Sequence, residues 1–330
     1  MRRLVVLFSS YFFVLTLSAQ SLDIPTKHYG LSIGNSTRFT GLRINFSDKD
    51  LQQINGVNIT LWKARSSKTG VINGLAIGLV GPEAYDINGV GFGLGVGAEN
   101  RLRGLSIGLL GVGAGEDVVG LNIGGLAVGA GNKLAGINLA GLGLGSGGSV
   151  SGLSCAILGV GAGEGLNGIA IAGLGVGTGG DLNGFALGLL GAGAGGDIKG
   201  VVIGGLGCGG GGDATGVLLG GLGVGAGKSI TGLAIGLVGV GAGKQIKGGA
   251  LAAAMIQTPA FTGIGAAGYL RIDHFKGLSM AGLTHFQSSR GLSIALVNVA
   301  RELHGVQVGS INYAGNNKFF KYCPIINTHF

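Results

Sequence analysis

The chain has 330 residues, 76 of them glycine and 4 proline, with 46% apolar and 11% charged residues and a formal net charge of +8. No Gly-X-Y triplet runs through it, so the glycine excess is not collagen. The basic residues (Lys63, Arg65, Lys68, Arg101, Arg103 and others near the C-terminus) are too scattered for a nucleic-acid footprint, and three widely spaced cysteines make neither a disulfide framework nor a CxxC zinc site.

In chain order, residues 1–20 carry Arg2 and Arg3, an apolar run from Leu4 to Leu17, and then Ser18-Ala19-Gln20. That is the layout of a secretory signal peptide, and it predicts an exported chain whose mature form starts near Ser21. Residues 21–73 hold alternating strands, GLRINF from Gly41 and GVNITLW from Gly56, with a polar turn at Asp48, Lys49 and Asp50 between them. This polar, aromatic segment reads as a set of N-terminal capping strands. Residues 74–317 are tandem glycine-rich repeats, and residues 318–330 are a C-terminal cap or closing strand.

The repeats are most regular from Gly104 to Lys247. Nine copies open at Gly104, Gly120, Gly136, Gly152, Gly168, Gly184, Gly200, Gly216 and Gly232, each sixteen residues after the last. Before them Gly74 and Gly89 open fifteen-residue copies; after them the spacing contracts to fourteen or fifteen, at Gly248, Gly263, Gly277, Gly291 and Gly305. With the opening glycine as position 1, apolar residues stand at 2, 4, 7, 9 and 15. In the first copy these are Leu105, Ile107, Leu110, Val112 and Val118. Charges fall at 13, 14 or 16. Steps of two are strand periodicity, and glycine at nearly every second position excludes helix.

The unit is therefore all-β, and two architectures use such a unit. In a β-solenoid of 14–16 residues per coil, positions 2, 4, 7, 9 and 15 stack as a dry core, and the glycine-rich face with position 3 turns outward. In an outer-membrane β-barrel of roughly eighteen strands, each repeat is one strand and apolar residues alternate toward lipid. Nine similar turns, a single aromatic (Phe185) between Gly104 and Lys247, and the absence of a polar lumen favour the solenoid. The terminal Phe330 suits a closing barrel strand.

GLSIALVNVARELH, Gly291 to His304, and GVQVGSINYAGNN, Gly305 to Asn317, resemble the bacterial surface-repeat proteins built on GLQIGLVNYA-type units, known from spirochaetes and Bacteroidota. The stretch from Thr40 to Trp62 is also similar to members of that group. The resemblance implies an exported, outer-membrane-associated or surface protein with a structural or adhesion-type role and no known enzymatic activity. The centre departs from the pattern. Position 8 there is Gly111, Ala127 or Gly239, whereas the C-terminal copies have Asn298 and Asn312. If those asparagines form a ladder, the centre must rely on packing alone.

No catalytic constellation stands out, and no cofactor motif. GxGxxG-like strings are by-products of composition, outside any strand-loop-helix unit. GGGGD at Gly209 lacks the nine-residue period of calcium-binding repeats. Cys155 at position 4 and Cys208 at position 9 read as core residues, and His28, His274, His285, His304 and His329 show no ligand spacing. One weak metal candidate remains: Asp181, Asp197 and Asp213 hold position 14 in three successive copies, a row that would repel itself in a solenoid unless a cation or water lay between. The expected partners are an outer membrane or cell surface, or a second copy packed against the glycine-rich face. No nucleic acid is expected.

Overall fold

A computed structural model describes residues 21–65, 69–318 and 320–330. The signal-peptide expectation falls on residues 1–20, outside the described residues. Strands take 78% of the described residues and none of these is helical. The fold is a β-solenoid, not a barrel: within the repeats neighbouring strands pair parallel and in register, where a barrel of consecutive strands needs antiparallel neighbours. Two compact units, Met1–Gly147 and Gly148–Phe330, share this plan.

Each sixteen-residue coil has two walls. The long wall is an eight-residue strand from position 14 of one copy to position 5 of the next, as in Asp181–Gly188. The short wall covers positions 8 to 11, as in Gly191–Ala194. Bends at 6–7 and 12–13 join them. Pairing partners are sixteen residues apart on both walls, for example Gly168 with Gly184 and Gly175 with Gly191. The opening glycine sits inside the long strand with positive φ, 126° at Gly184. A Cβ there would overlap the carbonyl oxygen of Gly168 in the coil below, so no other residue fits that corner.

The phase of the long wall corrects the expected core. Positions 3, 5, 9, 11 and 15 point inward, and positions 2, 4 and 7 point outward. In the C-terminal unit the core columns are Leu166, Leu182 and Ile198 at position 15, Val160, Val176 and Val224 at position 9, and Ala170, Ala186 and Ala234 at position 3, all almost completely buried. The reason is width. Opposed walls leave little room between them, so position 3 is Ala170, Ala186 or Ala234 beside Leu166, Leu182 or Ile230 at 15, while Val202 shares its strand with Ile198. Where position 3 becomes Leu218, the same strand has Ala214 at 15. Large residues at 2 and 4 have no space inside.

Both units replace this apolar packing with polar networks in their irregular coils. Near the start, Arg43 is fully buried and pairs with Asp48. Its guanidinium also donates to Asn58 Oδ1 at 2.7 Å and Asn35 Oδ1 at 2.9 Å, while Asn45 and Thr60 donate to the Asp48 carboxylate. Asp48 is thus an internal anchor and not part of an exposed turn. In the C-terminal unit Asn298 accepts from Thr284 and Ser293 and donates to Asn312 Oδ1 at 2.8 Å, forming a position-8 asparagine ladder. The central coils lack it there but do not rely on packing alone, because Asn122 donates to Asn138 Oδ1 at 2.9 Å at buried position 3. Phe261, Phe275 and Phe286 stack beside it, with centroids 5.7 and 4.8 Å apart.

One antiparallel strand lies at an outer edge of each unit: Ser21–Pro25 on Tyr29–Gly34, and Tyr322–His329 on residues 305–313. Parallel rungs with the same glycine corner already begin at Tyr29–Gly34 against Arg38–Asn45.

Candidate functional site

The aspartate row is built into the backbone. Asp197 N donates to Asp181 Oδ1 at 2.8 Å, Asp213 N to Asp197 Oδ1 at 2.8 Å, and Ser229 N to Asp213 Oδ1 at 3.0 Å. Each carboxylate accepts the N–H of the residue one coil on, a charge-assisted bond that offsets repulsion along the row. A Cβ on Gly196 or Gly212 would press on the carboxylate of Asp181 or Asp197, yet Lys228 holds the same position 13 beside Asp213, so the row does not itself require glycine there. Among the described residues no group of three His, Cys, Asp or Glu is arranged to hold a metal ion.

The cysteines part company. Cys208 is buried in the position-9 column, and burial pushes its thiol up to about 11. Cys155 stands at outward position 4, half-exposed, which corrects its expected place in the core. All three thiols are free. Of the histidines, the structure brings together His304 and His329, rings edge-on with centroids 6.2 Å apart.

On the short wall of the C-terminal unit, Gly209, Gly225 and Gly241 floor an open groove of about 780 Å³, walled by Gln257, Pro259, Arg271 and Asp273. The bare floor comes from position 10, glycine in coil after coil, flanked by Gly or Ala at 11 and Gly at 12. Some of these glycines answer no internal demand: a Cβ on Gly161, Gly177 or Gly225 would meet nothing within 4 Å. The expected glycine face therefore exists, but on the short wall.

The most distinctive surface is the outer face of the long wall with its 6–7 bend. From Gly152 to the coil opening at Gly248, positions 2, 4, 6 and 7 carry only Leu, Ile, Val, Phe, Ala, Cys or Gly. Leu174, Leu190, Leu206 and Leu222 form an unbroken column at position 7, each 47–52% exposed. Charges on the same coils keep to 13, 14 and 16. A contiguous apolar face of this extent, rimmed by polar residues, marks an interaction surface. Sequence reasoning missed it by assigning these residues to the core. The available signal was the odd step between 15 and 2, which cannot share a face within one extended strand. No family model, curated protein or solved structure matches the chain.

Proposed function

We propose that this chain is an exported, non-enzymatic structural protein of the cell surface or outer membrane, in which a rigid β-solenoid presents a broad apolar face to a neighbour. The observation that carries this reading is that face: four outward columns over seven coils without one polar side chain. Such columns offer no acid or base and a single thiol, Cys155, and they match what docking requires. The basic-apolar-small layout of residues 1–20 and the GLSIALVNVA-type units support export and a surface role.

The test is cell fractionation with N-terminal sequencing of the purified chain and protease treatment of intact cells. The expected result is a mature N-terminus near Ser21 in the envelope fraction, with protease reaching the chain from outside. A chain that keeps Met1 and stays in the cytosol overturns the proposal.

A further inference from the structure

The outward column at position 6 is irregular in size, where its neighbour at position 7 is leucine from Leu158 to Leu222. Over the seven coils from Gly152 to Gly248 it reads Ile157, Gly173, Leu189, Gly205, Gly221, Leu237, Ala253. Ile157, Leu189 and Leu237 are 64–65% exposed, knobs that no part of their own copy covers. The fold explains glycine at 173, 205 and 221, where a Cβ would overlap the carbonyl oxygen of the coil below. It does not explain a large apolar residue at the other three.

Set against itself in reverse, the column is self-complementary. Ile157 meets Ala253, Gly173 meets Leu237, Leu189 meets Gly221, and Gly205 meets its own counterpart. No knob meets a knob, and every knob meets a small residue. We propose that this face pairs with the same face of a second copy, solenoid axes antiparallel, with the two-fold running along the strand Ile198–Gly204 at the middle of the seven coils. Such an isologous interface needs one patch that fits itself. Seven coils at ~4.8 Å by six residues at ~3.3 Å give roughly 700 Å² per copy, close to the ~800 Å² that each partner contributes to a standard interface.

A bilayer is the competing occupant. A fluid lipid surface has no use for a matched order of large and small residues. Residues 148–247 also balance four lysines (Lys199, Lys228, Lys244, Lys247) against four acids (Glu164, Asp181, Asp197, Asp213), with no basic excess for anionic headgroups. The inference rests on the apolar face as a docking surface and not on export, so the fractionation above can fail while this one stands, and the reverse.

The test is sedimentation velocity of the full chain in plain buffer from about 1 to about 100 μM, with site-directed cross-linking. The pairing sets native Cys155 of one copy against Leu251 of the other, both at position 4. Leu251→Cys is therefore expected to give a covalent dimer with a short bis-maleimide linker, and Leu187→Cys is not. Ile157→Ala and Ala253→Ile each weaken the dimer about tenfold, and the double variant, which exchanges knob and hole, restores it. These sites are exposed, so unchanged circular dichroism is expected throughout. A monomer at the highest concentration overturns the proposal. So does a monomer that floats with phosphatidylethanolamine–phosphatidylglycerol vesicles, or a dimer indifferent to both Ile157→Ala and Ala253→Ile.

Discussion

Asp48 shows how far a single residue organises the first coils. Its two carboxylate oxygens engage Arg43, Asn45, Asn58 and Thr60 in a space that admits no water-facing alternative. Removing one partner of a buried pair leaves the other charge uncompensated, so Asp48→Ala is expected to cost about 3–5 kcal/mol. Trp62 is the chain's one tryptophan and stacks on Phe46, so urea unfolding followed by its fluorescence reads this region directly. Glycines divide just as sharply. Gly184→Ala forces a side chain into a positive-φ corner and onto a carbonyl oxygen, with an expected loss of about 3 kcal/mol. Gly177→Ala points into open space and is expected to shift stability by less than about 0.5 kcal/mol. Thermal melts of the two variants side by side check the contrast. Composition alone makes these glycines identical; only the stacking geometry tells them apart.

At the scale of the strand, legibility depends on how many periods a segment carries. The sixteen-residue repeat made the coil readable, because fixed self-similarity specifies stacking whatever the side chains do. The inside and outside of Asp181–Gly188 were not readable, because Leu182 and Leu187 are both large, apolar and of opposite phase, and only the narrow interior decides between them. The aspartate row was found by its spacing, but its use was hidden, since side chain-to-backbone bonds leave no pattern of their own. Asp197→Ala removes the acceptor for Asp213 N and is expected to cost about 1 kcal/mol, whereas Asp197→Asn, which keeps an acceptor, costs less. A melting curve unchanged by chelator is the expected companion result. Cys208 adds a pH dependence to its column. Its folded-state pKa, about 11, lies above the ordinary 9.0, so its contribution to stability is complete below about pH 9 and falls away as pH rises toward 11. Cys208→Val, matching Val224 one coil on, is expected to flatten that part of the melting temperature against pH.

Across the molecule, neighbouring rungs carry the contacts: Gly200 pairs with Gly184 below and Gly216 above. Stability in such a stack is a sum of rung and interface terms, so damage at Asp48 is expected to leave the distant coils folded. The fixed step of sixteen has a further consequence. Deleting residues 184–199 removes one whole coil and brings Gly200 over Gly168, a junction identical in kind to those already present. Deleting residues 184–191 alone sets a long wall over a short one. The first variant is expected to keep the far-UV circular dichroism and cooperative melt of the parent, and the second to lose both. Length in this protein is thus a counted quantity, added or removed one coil at a time, and the reach of its apolar face is set by arithmetic on whole repeats.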